Sequence, residues 1–177
     1  MKKILIVVDM QNDFISGSLG TKEAVSIVPC VRERLEQARL SGETIIFTRD
    51  THNEDYMNTQ EGKKLPVPHC INGTHGHEIE ESLKPYAADA IVIDKPTFGS
   101  YSLVDMLRSM VDQDTVIELL GLCTDICVAS NALLIKNAFP EIRVQVNADC
   151  CAGVTVESHE AAITTMSSCQ VEILNRA

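Results

Sequence analysis

No tryptophan occurs in these 177 residues and aromatics make up only 4% of them, so the core has to be assembled from Ile, Val, Leu and Ala. An excess of positive charge is also missing: Lys and Arg number 15 against 25 Asp and Glu, for a net charge of −10. Such a chain repels phosphate backbones and anionic lipid headgroups, and no basic stripe reverses the sign locally. Nucleic acid and membrane surfaces are therefore excluded as expected partners. A small neutral substrate remains open to it. Nowhere does an apolar run approach the roughly 20 residues that span a bilayer. Met1-Lys2-Lys3 followed by Ile4–Val8 has the charge order of a secretory leader, but the apolar stretch breaks off at Asp9 and is too short for one. It is expected to be a buried first strand. The dinucleotide-binding fingerprint G-x-G-x-x-G is absent as well; Gly17-Ser18-Leu19-Gly20 lies too far beyond that strand and has the wrong spacing. Cys30, Cys70, Cys123, Cys127, Cys150, Cys151 and Cys169 follow no regular spacing and are odd in number, which predicts reduced thiols and a cytoplasmic protein. The length, with no internal repeat or linker, predicts one domain over residues 1–177.

What is present is an alternation. Runs rich in β-branched residues recur at Ile4–Val8, Thr44–Thr48, Ala90–Ile93, Val116–Leu120, Ile142–Val146 and Val171–Leu174. Each is nearly continuous in apolar character, as strands covered on both faces are. Segments of helical period lie between them. One opens at Val28-Pro29, puts Val31, Leu35, Ala38 and Leu40 on one face and closes at Gly42. Others are expected from about Leu103 to Met110, Ile126 to Ala138 and Glu157 to Met166. This pattern predicts an α/β fold of right-handed βαβ units: a mainly parallel six-stranded sheet with helices on both sides, three layers in all. Thr51–Gly76 fits no regular element, and a loop that long in a compact domain usually carries function.

In open α/β sheets ligands bind beyond the carboxyl ends of the strands. Asp9 follows the first strand, Asp50 and His52 the second, Lys95 the third, Gly121-Leu122-Cys123-Thr124-Asp125-Ile126-Cys127-Val128 the fourth, and Asp149, Cys150 and Cys151 the fifth. An acid or lysine after one strand is ordinarily a solvated loop residue; several on one sheet edge make a candidate site. Cys127 is the expected nucleophile. With Thr124 capping the next helix, Cys127 falls in its first turn, where free N–H groups and the helix dipole favour a thiolate. Asp9 can take the thiol proton, Lys95 can hold both anions, and backbone N–H groups at Cys123 and Cys127 can cradle an oxyanion. Cys30, Cys150, Cys151 and Cys169 suit small buried hydrophobes better. Asp50 and His52, two apart in extended chain, project to one side, and His69 and Glu61 lie in the loop that follows. Mixed carboxylate and imidazole ligands suit one divalent transition metal, zinc first, with manganese or iron as alternatives. His75 and His77 are weaker candidates for the same role.

Four segments in this order resemble the isochorismatase-like cysteine hydrolases, specifically the nicotinamidase/pyrazinamidase branch: Val8-Asp9-Met10-Gln11-Asn12-Asp13-Phe14, Thr48-Arg49-Asp50-Thr51-His52, Pro68-His69-Cys70-Ile71-Asn72-Gly73-Thr74, and Gly121 to Val128. The likeness runs from Ile4 to about Leu174. It implies a Rossmann-like sheet in the order 3-2-1-4-5-6 and a triad of Asp9, Lys95 and Cys127. It also implies a non-proline cis peptide before Cys123, and metal ligands at Asp50, His52 and His69. The implied activity is hydrolysis of nicotinamide to nicotinate and ammonia through a thioester, a reaction of NAD salvage. Phe14 is then expected to pack on the substrate ring. Two departures stand out. Asn58 occupies the place of a further ligand histidine in some relatives, which makes Glu61 the expected substitute, and Pro66 stands where some nicotinamidases carry tryptophan, so one aromatic wall is expected to be missing. The alternatives are a carbamoyl or ureido hydrolase using the same triad without the metal, a vinyl-ether hydrolase of the isochorismatase type, and a non-catalytic Rossmann-like binding domain. A homo-oligomer is compatible with all of them.

Overall fold

The computed structural model describes residues 1–175. Along the chain come β1 (Lys3–Val8), α1 (Asn12–Ile15), α2 (Lys22–Leu40), β2 (Thr44–Asp50), α3 (Gln60–Lys64), α4 (Lys84–Ala87), β3 (Ile91–Lys95), α5 (Tyr101–Leu107), β4 (Val116–Leu122), α6 (Ala129–Ala138), β5 (Arg143–Ala152), α7 (Val156–Ser168) and β6 (Glu172–Leu174). The strands form one sheet in the order β3-β2-β1-β4-β5-β6, parallel at every pairing. β1 and β4 are central and buried along almost their whole length, which is why they read as unbroken apolar runs. α2 and α4 pack on one face; α5, α6 and α7 pack on the other. The core between the layers is Ile, Leu and Val with Phe47 and Met10, as the shortage of aromatics requires.

Several boundaries move for physical reasons. α2 begins six residues before Val28, because the Thr21 hydroxyl accepts from Ala24 N and caps it. Pro29 therefore lies inside the helix, on its exposed side, where water can satisfy the carbonyl it leaves without a donor. β5 runs past Val146 to Ala152. A register shift between Leu119 and Gly121 lets it resume pairing at Gly121↔Cys151 and Leu122↔Ala152. Asp149, Cys150 and Cys151 thus belong to the strand and do not follow it. The segment Thr51–Gly76 is not wholly irregular: it holds a 3-10 turn at Tyr56–Asn58, the five-residue α3 capped by Thr59, and the start of another turn at His75–His77. Pieces this short leave no period to read.

The expectation of seven reduced thiols fails for two of them. Cys30 on α2 and Cys150 on β5 form a disulfide with Cα atoms 5.4 Å apart. They are 120 residues apart in sequence, and the packing of α2 on β5 is what juxtaposes them. Cys70, Cys123, Cys127, Cys151 and Cys169 are free. Among the described residues no helix is long and apolar enough to cross a membrane.

Candidate active site

The strand order reverses between β1 and β4, so the connections beyond their carboxyl ends part and leave the crevice where doubly wound sheets bind ligands. At the end of β1 the chain turns through Asp9 with φ +49°, a conformation that Asp tolerates better than most residues. At the end of β4, Gly121 has φ +119°, and a side chain there would overlap the Val8 carbonyl. Glycine is needed for the two strand ends to approach this closely. The Leu122–Cys123 peptide that follows is cis. Lys95, the last residue of β3, pairs in register with Asp50, the last of β2.

The three expected catalytic side chains meet in this crevice, all buried. Lys95 Nζ lies 2.6 Å from Asp9 Oδ2 and donates to Cys127 Sγ at 3.3 Å. It also donates to the Thr97 carbonyl at 3.2 Å and lies 3.5 Å from Asp50 Oδ1. Thr48 Oγ1 donates to the other oxygen of Asp9 at 2.7 Å. Burial works against the charge on Lys95, but Asp9, Cys127 and Asp50 around it hold its pKa well above the ordinary lysine value. Burial raises the Asp9 carboxyl above the usual range, although Lys95 and Thr48 pull the other way.

The environment of Cys127 differs from expectation. It sits in a π-helical turn, Thr124–Val128, not the first turn of an ordinary helix, and Thr124 caps nothing. The Thr124 hydroxyl instead bonds His159 Nδ1 on α7 at 2.8 Å. Burial first, and then the negative charge of Asp9, hold the Cys127 thiol well above its ordinary pKa despite Lys95. Both Asp9 and Cys127 are thus shifted toward holding a proton, with the Lys95 ammonium within reach of each. Cys123 is also disfavoured as a thiolate, pushed up to about 12 chiefly by burial.

Beside this group stand Asp50, His52, Glu61 and His69, with one potential ligand atom from each lying within 4.8 Å of all the others. His52 Nε2 is 2.9 Å and His69 Nε2 3.4 Å from Asp50 Oδ2, and both are 3.7 Å from Glu61 Oε1. His69 Nδ1 bonds the Val67 carbonyl at 2.8 Å, which directs Nε2 into the cluster in the way backbone carbonyls orient metal-binding imidazoles. Tyr56 packs against both imidazoles, with ring centroids 4.7 Å from His52 and 5.0 Å from His69. Two nitrogens and two carboxylates converging on one point fit zinc, manganese or iron. Asn58 is exposed, exposed His75 lies outside the cluster, and His77 is turned away to bond Thr51 Oγ1 at 2.8 Å.

A cavity of about 590 Å³ opens onto both groups, lined by Cys123, Cys127, Asp50, Glu61 and His69 on the reacting side and otherwise mostly by apolar residues. Phe14 forms part of the wall. Phe98 is a second aromatic ring in the lining, while Pro66 is exposed and not part of it. Leu19, Leu65, Ile126 and Val154, none of them foreseen, complete the wall. Phe98 follows Lys95 by three residues, and that position beyond β3 was the available signal.

An acid, an ammonium and a thiol at the switch point of a parallel sheet define an α/β protein with a nucleophilic centre. Residues 3–177 match the Isochorismatase domain, and the chain belongs to that family. It is 28% identical over 189 residues to the nicotinamidase/pyrazinamidase of Mycobacterium tuberculosis, covering 97% of this chain and 98% of that protein. Its fold superposes on a crystal structure of nicotinamidase/pyrazinamidase from Bacillus subtilis with a TM-score of 0.87 at 27% identity, covering 99% of this chain and all of the other. A pyrazinamidase of Pyrococcus horikoshii, crystallised in complex with zinc, superposes with a TM-score of 0.81 at 27% identity over 99% of this chain and 100% of its own.

Proposed function

We propose that this chain is a cysteine amidohydrolase that converts nicotinamide to nicotinate and ammonia. The observation that carries the reading is Lys95 Nζ placed between Asp9 and Cys127 at one end of an apolar cavity that also meets the Asp50, His52, Glu61 and His69 cluster. Asp9 accepts the Cys127 proton as Sγ bonds to the amide carbon. Lys95 keeps its charge throughout and offsets the negative charge shared by Asp9 and the sulfur. Backbone N–H groups of Cys123 and Cys127 are assigned to the developing oxyanion. Asp9 returns its proton to the departing nitrogen, the C–N bond breaks, and ammonia leaves a thioester on Cys127. Water then adds to the thioester with Asp9 again taking a proton, and the acid leaves as the thiol re-forms. Asp50, His52, Glu61 and His69 would hold a divalent ion, a Lewis acid that takes a ring nitrogen as ligand. Phe14 and Phe98 both line the cavity that would take the ring.

The test is ammonia release by metal-replete protein from nicotinamide and from a panel of acyclic carbamoyl and ureido compounds. Turnover of nicotinamide is the expected result. Release from the ureido compounds alone would leave the cysteine hydrolase and remove the nicotinamidase. Phe98→Ala should raise KM for nicotinamide several-fold with a smaller change in kcat, because the ring contact is made in ground and transition states alike and is worth about 1 kcal/mol. An unchanged KM would take Phe98 out of the binding wall.

A further inference from the structure

The segment Val8–Phe14 makes contacts that the reaction does not use, among them a part-buried one from Asp13. Asp13, on α1, accepts the Cys70 N–H at 2.7 Å through Oδ2. That N–H belongs to the peptide joining His69 to Cys70, so the bond fixes the backbone directly after a cluster histidine. Cys70 itself adopts φ +46°, a left-handed conformation that a non-glycine residue keeps only when its surroundings hold it there. From this point the chain is zipped to His52: His52 N donates to Cys70 O at 3.0 Å and Asn72 N to His52 O at 2.9 Å. The two residues before Asp13 act in parallel. The buried Gln11 amide accepts from Asp50 N at 2.7 Å and donates to Asp50 O at 2.9 Å, and Asn12 Nδ2 donates to His75 O at 2.8 Å.

Glycines mark the space Asp13 needs. A Cβ at Gly76 would overlap its carboxylate, and one at Gly17 would meet the carboxylate and the Asp13 Cα. Gly76 is outside the left-handed region, so its own backbone accepts alanine and the obstacle is the carboxylate.

We infer that Asp13 is a positioning residue for the His52–His69 pair, acting through the Cys70 peptide, and that residue 76 is glycine to leave its carboxylate in place. The inference rests on the reading of Asp50, His52, Glu61 and His69 as a metal site, and a double-mutant cycle separates the two. Metal-stripped protein is titrated with Zn²⁺ against a chromophoric chelator, and with Co²⁺ to record the ligand-field spectrum. Asp13→Ala is expected to weaken zinc binding about 10- to 100-fold, the range typical of lost outer-shell support, and to alter the cobalt spectrum. Asp13→Asn keeps an acceptor oxygen facing Cys70 N and should stay within about threefold of wild type by the same scale. Gly76→Ala in the wild-type background should weaken binding as Asp13→Ala does, yet add no further loss once Asp13 is alanine. If Asp13→Ala folds poorly, the comparison of Gly76→Ala with Gly76→Ala/Asp13→Ser still reads the coupling, because the shorter side chain frees the space that the new methyl needs. Wild type that binds zinc while Asp13→Ala or Gly76→Ala binds it equally well overturns the positioning role alone. A Gly76→Ala loss undiminished by removal of Asp13 does the same. Wild type that binds neither ion overturns the metal site and this inference with it.

Discussion

Cys127→Ala is expected to lower kcat for amide hydrolysis by a factor on the order of 10³ or more, with little loss of stability. Removal of the thiol leaves Lys95 paired with Asp9 at 2.6 Å and near Asp50 at 3.5 Å, so no buried charge is stranded. The other members of the triad make poorer tests. Asp9→Ala would leave a buried ammonium without its closest partner, and breaking a buried ion pair from one side costs about 3–5 kcal/mol. Loss of activity there would be hard to separate from loss of fold. Cys127→Ser should be nearly as inactive as alanine, because Asp9 would have to remove a proton held far more tightly than that of a thiol. The measurements are kcat by ammonia release and Tm by calorimetry on the same preparations. Retention of a tenth of wild-type kcat by Cys127→Ala, with Tm unchanged, would show that the nucleophile lies elsewhere.

Removal of the cluster imidazoles is expected to have the next largest effect. The purified protein should carry one divalent transition metal ion per chain by elemental analysis, and His52→Ala or His69→Ala should reduce occupancy to a small fraction. Each change deletes one of two nitrogen ligands, which costs more than the 10- to 100-fold typical of groups outside the first shell. What remains in either variant is one imidazole with the Asp50 and Glu61 carboxylates, a smaller and harder set that suits zinc less well. Dialysis against a chelator should abolish nicotinamide turnover, with recovery on addition of zinc, manganese or iron. His75→Ala is the matched control, since that imidazole is exposed and outside the cluster. Full occupancy in both cluster variants would show that the ion is held elsewhere, and a purified wild type without metal would favour a metal-free hydrolase of carbamoyl compounds.

The features legible from the residues were those whose cause is local. β-branched runs of period-free apolar character announce buried parallel strands, and the residue that ends such a run stands at the sheet edge wherever the helices pack. Asp9, Asp50, Lys95 and Cys127 could be placed in one crevice on that ground, and Asp50 with His52 by the two-residue period of extended chain. What failed depended on partners remote in sequence. Thr124 has the chemistry of a helix cap, but His159, 35 residues on, takes its hydroxyl. A thiol beside free N–H groups is a thiolate on local reasoning; complete burial and the Asp9 carboxylate reverse that. Phe98 becomes the second cavity wall and Cys30 the partner of Cys150 only once β3, α2 and β5 have docked. The sequence by itself determined the strands, the edge of the sheet that carries the chemistry and the residues found there. Only the tertiary structure decided the direction in which their pKa values shift, the shape of the cavity and the contacts that hold the loop, because burial and long-range packing set electrostatic energies and wall positions that no local pattern encodes.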